Sequence, residues 1–396
     1  MKRIFLLSFV VMAYILYGFV VANFNLEVLS QEIKKEHPAG YFDYRGVINV
    51  HSHLSTGSGT PQSIVSEAKA AGLDYMILTD VNPFERPEGF EGYHENLLAL
   101  FGGEYSYVDS RLLYLGDKGA SVGRDLGDSQ IHFADRLSQE WGTVKDELII
   151  MAHPLREGFG WSGDYPTGLH GIEVVNLKSV LAASWKKSKL SFLWSLVILP
   201  FNTRMAFMRL YTEPIEELIL WDKLSERHPT IGILGNDSTA KAIPFSDTWV
   251  RFPSHERAFS IGSNHLLLKS ELTGHFQSDR SKIFTALRNG NFYFSMDTVA
   301  DPKGFNAVLE DRDKRYLMGS EVKYNHNQSV SVHLPSKPNY NFEIVLFRNG
   351  ERIDQASEVD TKFKIQEPGV YRVTVRVIPT YPPPDGKRWI TWIYSN

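Results

Sequence analysis

Between Gly46 and about residue 294, short runs of apolar residues alternate with longer mixed stretches. Gly46-Val-Ile-Asn-Val50 has the signature of a buried strand. Thr60, Pro61 and Gly72 then punctuate a helix, with Thr as N-cap, Pro at the first helical position and Gly just past the end. Tyr75 to Leu78 is a second strand, and strand, helix and strand in this order make a βαβ unit. Further apolar runs at residues 97–101, 112–115, 148–151, 172–175 and 231–234 continue the pattern. Seven such strands predict an α/β fold closed into a barrel, with any chemistry at the carboxyl ends of its strands.

The texture changes after about residue 300. Ser329-Val-Ser-Val-His333, Glu343-Ile-Val-Leu-Phe347 and Tyr371-Arg-Val-Thr-Val-Arg-Val377 alternate apolar and polar positions, with turn signals at Asn349-Gly350 and Pro368-Gly369. This predicts a smaller antiparallel β-sandwich over residues 301–396, after a barrel over residues 45–300.

At the other end, Lys2 and Arg3 precede an uncharged apolar run from Ile4 to Ala22, long enough to cross most of a hydrocarbon core. Residues 1–24 read as a transmembrane signal anchor, since the run exceeds the ~7–15 apolar residues of a cleaved signal. With the basic residues retained inside, the rest faces the periplasm or the exterior. Cleavage before Asn23 would release the protein instead. Residues 25–44 then read as a polar stalk. Within the barrel, residues 183–212 form an insertion in which Lys186, Lys187 and Lys189 precede a run rich in Leu, Phe, Trp and Val. It is too short to span a bilayer and suits an interfacial segment, with a buried core hairpin as the alternative.

Composition narrows the chemistry. The net charge of -4 gives no reason to expect nucleic acid, and the absence of cysteine excludes disulfides and thiolate ligands. His51 and His53 share one face of an extended chain just past the first strand. Glu104, His153, Glu173, Asn176 and Asp237 recur at the ends of later strands. Nitrogen and oxygen donors without thiolate suit Zn, Mn or Fe, and Glu104 is the carboxylate placed to bridge two ions. Such a centre would acidify a water and polarise a substrate oxygen, so hydrolysis is the reaction class. Arg156, three residues beyond His153, offers a fork of donors to a phosphate, and His265 offers a general acid.

His51-Ser-His53, Ala71-Gly-Leu-Asp-Tyr-Met-Ile-Leu-Thr-Asp80, Gly103-Glu104, Ala152-His-Pro154, Gly171-Ile-Glu-Val-Val-Asn176 and Gly235-Asn-Asp237 resemble, in order, the motifs of the PHP (polymerase and histidinol phosphatase) superfamily. The resemblance covers roughly residues 41–275 and implies a distorted (β/α)7 barrel, a divalent metal centre and phosphoester hydrolysis. It carries His51, His53, Glu104 and Asp237 onto one metal, and Glu104 with two later histidines onto a second: His153 is one, and His132, at a suitable distance after Glu104, is the candidate for the other, with a helix-surface histidine as the alternative. Near these motifs, Asp80 is a candidate to orient a ligand or contact the centre. Three departures, Val81, Thr239 and the Ser55 to Gly59 loop, remove the family's third metal site together and leave a two-metal centre. The pieces Asn349-Gly350, Pro368-Gly369-Val-Tyr371-Arg372 and Trp392-Ile-Tyr-Ser-Asn396 look like the C-terminal β domain of CehA-like metallohydrolases. That likeness adds amide or carbamate hydrolysis as an alternative, and the departures add a catalytically inactive binding protein. The expected partners are a phosphoester or other small-molecule substrate, lipid headgroups included, and the membrane.

Overall fold

A computed structural model of the chain describes residues 2–24, 26–29, 40–116, 122–143, 147–241, 253–383 and 385–396. The chain begins with helix α1 (Lys2–Ala22) and continues with strand β1 (Phe42–Val50), helix α2 (Pro61–Ala70) and strand β2 (Tyr75–Leu78). Strands β3 (Gly92–His94), β4 (Leu97–Phe101), β5 (Gly103–Tyr107) and β6 (Ser110–Gly116) follow, then α3 (Leu126–Leu137), β7 (Glu147–Met151) and β8 (Gly171–Asn176). Helices α4 (Leu177–Lys187), α5 (Lys189–Ile198), α6 (Thr203–Leu210) and α7 (Ile215–Ser225) separate β8 from β9 (Ile231–Ser238). Next come α8 (His255–Phe259), β10 (Ser263–Leu268), α9 (Phe276–Arg288) and β11 (Phe292–Ser295). The remainder is strands: β12 (Asn306–Asp311), β13 (Lys314–Leu317), β14 (Gln328–His333), β15 (Phe342–Arg348), β16 (Glu351–Ala356), β17 (Asp360–Lys364), β18 (Tyr371–Val377), β19 (Thr380–Tyr381), β20 (Gly386–Lys387) and β21 (Ile390–Ser395).

The first βαβ unit forms as its punctuation dictates. The Thr60 hydroxyl accepts the Ser63 amide at 3.1 Å, and β1 and β2 pair in parallel. Gly46 is required there, because the Tyr75 ring lies where a side chain would project. β1 also runs parallel to β9, β9 to β8, and β8 to β7. β6 is antiparallel to both β7 and β5, because a two-residue hairpin turn at Val108 and Asp109 replaces a helical crossover. β4 lies parallel to β2 and passes through Gly102 into β5, whose Glu104 bridges Val81 just beyond β2. Pairing therefore travels from β2 through β1, β9, β8, β7 and β6 to β5, and returns to Val81.

The same sheet also leaves this ring. The first half of β1 pairs antiparallel with β10, and the path continues through β11, β21, β18, β15 and β16. A separate antiparallel sheet has the order β13-β12-β14-β17. The antiparallel texture expected after residue 300 is present, yet the expected boundary is crossed by the β11–β21 pairing and by the Trp392 indole, which donates to the Ala300 carbonyl at 2.9 Å.

Two N-terminal expectations are refined. Residues 30–39, half of the predicted stalk, lie outside the described residues. Leu26, Val28 and Leu29 are buried, and the Asn339 amide donates to the Val28 carbonyl at 2.7 Å, so this stretch packs against the C-terminal half and is no solvated stalk. Apolar side chains at three of four positions make that packing favourable. α1 is long and apolar enough to cross a membrane, and most of it is exposed.

A buried polar network ties β1, β10 and β11 together. Asp43 Oδ1 lies 2.8 Å from His265 Nδ1, and its Oδ2 accepts the Tyr293 hydroxyl at 2.6 Å. His265 Nε2 reaches Ser263 Oγ at 3.1 Å, and Ser263 in turn donates to Asp297, the partner of Arg45. His265 is fully buried and stacks on Tyr293, so it is held inside this network and not beside the strand-end acids where the general acid offered by the sequence would be needed. Its pairing partner in β1 is Arg45, six residues before His51, or roughly 20 Å along an extended chain. Burial alone would push His265 down, but the Asp43 carboxylate beside it holds it above 6.5. Burial likewise acts to raise Asp43, and His265 and Tyr293 hold it below 3.8.

This pair sets a pH dependence of stability. A raised histidine contributes fully below about 6.5 and loses its contribution as pH climbs through its folded value, while a lowered aspartate contributes above about 3.8 and is lost on acidification. Asp43→Asn should cost about 3–5 kcal/mol near pH 6, the usual result of breaking a buried pair. The gap between wild type and variant should narrow as pH rises toward 9, as measured by denaturant melts across that range.

Candidate active site

The carboxyl ends of β1, β7 and β9 converge on the amino end of β5. His51 follows β1, and its amide donates to the Ser238 carbonyl at the end of β9 at 2.9 Å. Glu104 is the second residue of β5, Asp237 is the next-to-last of β9, and His153 lies two residues beyond β7. All four are buried. His51 Nε2 stands 3.4 Å from Glu104 Oε2 and 3.5 Å from Asp237 Oδ1, and His153 Nε2 stands 3.9 Å from Glu104 Oε1.

The local backbone is strained to achieve this. Asn49, His153 and Asp237 have positive φ values of 65°, 32° and 42°, in a region that non-glycine residues rarely adopt. Register shifts in the β1–β9 and β8–β9 pairings sit at Asn49 and beside Glu173, as bulges do when they re-aim a side chain. Glu173 is the clamp: its Oε1 accepts Asn49 Nδ2 at 2.7 Å, and its Oε2 accepts the His153 amide at 2.7 Å and Asn176 Nδ2 at 3.0 Å. Gly235 leaves room for that carboxylate, which a methyl group there would overlap.

Cations surround the acids. Lys178 pairs with Asp237 Oδ1, and Arg156 Nη1 donates to Asp237 Oδ2 at 3.0 Å. Arg111 Nε lies 3.8 Å from Glu104 Oε1. Phe159 carries both guanidiniums, 5.4 Å from Arg111 and 5.8 Å from Arg156, and His153 meets its edge. Burial would lower His51, but its closeness to Asp237 and Glu104 raises it to about 9. For Glu104, burial acts upward and is outweighed by His153 and His51, which bring it down to about 2. Asp237 is likewise held low against burial, chiefly by His51 and Lys178, whereas burial dominates at Glu173 and pushes it up.

Other predicted site residues are placed elsewhere. The i, i+2 argument for His53 needs an extended chain, but β1 ends at Val50 and the chain turns; His53 is exposed, with its Nδ1 3.1 Å from the Gly59 carbonyl. Asp80 causes that turn. Its carboxylate accepts the Ser52 amide at 2.8 Å, the Ser52 hydroxyl at 2.6 Å and the Ser55 hydroxyl, so it fixes the loop that follows His51. His132 sits on α3 with Nε2 3.1 Å from Glu147, the first residue of β7, at the opposite end of that strand from His153. Arg156 lies beside the four converging residues, on Asp237. Sequence reasoning overlooked Lys178, Arg111 and Phe159. The first was findable as the second residue of the helix capped by Asn176, and Arg111 from the hairpin register, which pairs it with Ser106 on the face of Glu104.

Separations of 3.4 and 3.5 Å are too long for good hydrogen bonds. They match the roughly 3.4 Å edge between donors that each lie about 2.1 Å from one tetrahedral ion. His51 Nδ1 and His153 Nδ1 have no hydrogen-bond partner, so neither nitrogen pair is satisfied by protein alone. Among the described residues no group of three or more His, Asp or Glu is placed to hold a metal ion, and Asp237 turns its oxygens to Lys178 and Arg156. Asp237 would have to exchange those contacts before it could share an ion with His51 and Glu104. Among the described residues no donors for a second ion are assembled, with His53 at the Gly59 carbonyl and His132 beside Glu147.

No family model and no curated protein matches the chain. Solved structures similar to it include a two-domain protein from Bacteroides vulgatus ATCC 8482 containing a predicted PHP-like metal-dependent phosphoesterase. It is 14% identical with a TM-score of 0.41, over 91% of this chain and 98% of that one. Another is a protein from Bifidobacterium adolescentis ATCC 15703 provisionally named a metal-dependent phosphoesterase, 15% identical with a TM-score of 0.30, over 50% of this chain and 89% of that one. Both likenesses are too distant to add weight to the geometry of the site.

Metal titration separates the convergent residues from the displaced ones. Glu104→Gln should weaken Mn2+ or Zn2+ binding at least tenfold, roughly the scale set by outer-shell ligands alone. His53→Ala and His132→Ala should stay within about twofold of wild type, measured by calorimetry on chelator-stripped protein.

Proposed function

We propose that this chain is a membrane-anchored, metal-dependent hydrolase acting on phosphoesters. The observation that carries the reading is the buried convergence of His51, Glu104, Asp237 and His153 beneath three cations, Lys178, Arg156 and Arg111. The ring of strand pairings is read as a distorted barrel of seven strand positions, and α1 as the anchor.

His51, Glu104 and Asp237 would hold the ion, with His153 beside Glu104; a bound divalent ion supplies Lewis acidity to the phosphoryl group and acidifies a water. The chain's own residues supply the rest. Arg156 and Lys178 neutralise Asp237 and would offer donors to the non-bridging oxygens of a phosphate bound beside it. Arg111 and Arg156 are held over Phe159, which limits their freedom before substrate arrives. Glu173 keeps the His153 backbone in its strained conformation and orients Asn49. Three convergent cations favour an anionic phosphoester over a neutral carbamate or amide, whose transition state develops a single oxyanion.

Turnover of aryl phosphomonoesters and phosphodiesters should require a divalent ion and be abolished by Glu104→Ala; vigorous hydrolysis by that variant would reject the reading. Arg156→Ala should raise KM about tenfold to a hundredfold, the loss of a charge-assisted contact worth roughly 1.5–3 kcal/mol. An aryl carbamate panel run beside the phosphates should show no comparable turnover.

A further inference from the structure

We infer that α4, α5 and α6 form an interfacial hairpin that binds the surface of an anionic bilayer beside α1. This goes beyond the proposed reaction and does not depend on which bond is hydrolysed. α1 does not stand apart from the folded chain. Its Tyr14 ring meets Phe201 at 5.1 Å, Tyr17 meets Trp194 at 5.3 Å, and Asn202 Nδ2 donates to the carbonyls of Val21 and Phe24 at 3.2 Å. The carboxyl half of the apolar helix is thus docked on α5 and the start of α6, and whatever medium surrounds α1 also reaches α5.

α5 is built for that medium. Leu190, Leu193 and Leu196 recur every three residues on one face and remain 81%, 47% and 39% exposed, while Ser195 and Ile198 face the protein. An exposed leucine face continuous with an exposed apolar helix is costly in water and favourable in lipid. Basic residues mark its edge. Lys187 and Lys189 are exposed, Lys189 lies 5.6 Å from the Trp185 ring, and Lys186 pairs with Glu157. Cations and Trp beside an apolar helix are the composition of a segment at the headgroup level of an anionic membrane. The opposite side is anchored in protein: Met205 to Leu210 of α6 are buried, and Arg209 pairs with Asp385. The consequence for the site is geometric. α4 carries Lys178 in its first turn and Lys186 and Lys187 in its last, so one helix of 11 residues, roughly 16 Å, separates the cation cluster from the membrane surface.

The native chain has no cysteine, so single labels are unambiguous. Full-length Leu190→Cys and Leu193→Cys, and Ile353→Cys on the remote strand β16 as reference, would carry an environment-sensitive fluorophore and be reconstituted in phosphatidylcholine vesicles with and without phosphatidylglycerol. The α5 labels should be quenched by doxyl lipid and shielded from aqueous iodide, with the reference showing the reverse. Adding Lys187→Glu and Lys189→Glu should reduce the doxyl quenching at least about twofold in the anionic vesicles. Iodide quenching of the α5 labels without doxyl quenching would overturn the proposal, as would shielding from both quenchers, which would mean that protein covers this face. Undiminished doxyl quenching in the charge-reversed chain would overturn the assignment to anionic headgroups. Metal binding measured on the same samples reports the active site separately, so either reading can fail alone.

Discussion

Three carboxylates buried within one small volume set the terms for the rest of the molecule. Glu104, Glu173 and Asp237 lose the hydration that would stabilise their charges, and each also feels the others. Such a group survives only if positive charge and hydrogen-bond donors are brought to it. The chain does this with five residues from four elements: His51 from β1, Arg111 from β6, His153 and Arg156 from the loop after β7, and Lys178 from the first turn of α4. The left-handed backbone at Asn49, His153 and Asp237 is the cost of aiming these groups inward, and Glu173 absorbs part of it by accepting two side-chain amides and one backbone amide. Removing any one donor leaves an uncompensated charge, which is why this end of the strands is coupled and the outer elements are not.

The second buried network shows what a purely structural solution looks like. Asp43 faces one histidine, and Asp297 faces one arginine and two hydroxyls, so each acid has its partner and no donor is left waiting. His265 has both ring nitrogens in hydrogen bonds, whereas His51 and His153 each leave Nδ1 unpaired and hold Nε2 too far from the acids for a normal bond. Chemistry that accepts another ligand belongs where the accounting is incomplete. The two histidine environments differ in that respect, though both are buried and both lie beside carboxylates.

That distinction also explains which residues are legible in the sequence. Strand ends can be read from apolar runs, so His51, Glu104, His153 and Asp237, which lie at such ends, are identifiable from the order of residues alone. His53 is not, because its placement depends on whether the chain stays extended for two more residues, and Asp80, 27 positions later, decides that by capturing Ser52 and Ser55. His132 and His265 fail for a related reason: linear distance from a motif says nothing about which end of a strand a residue occupies. The pairing of β11 with β21 is invisible in periodicity for the same reason, since the choice of partner strand is a long-range fact.

Helix α4 joins the acid cluster to the apolar helices. Its N-cap, Asn176, hydrogen-bonds Glu173 and Asp237, so its first turn is fixed by the acids. Its last turn leads through Ser188 directly into α5, which α1 covers along one side. A rigid element fixed at one end by the acids and at the other by an apolar helix transmits position and not merely proximity. Lys178 is therefore held with respect to the proposed bilayer surface as firmly as with respect to Asp237. A phosphorylated substrate presented at the membrane surface and one arriving from solution would meet the same three cations, but only the first would approach along a path whose length the helix sets.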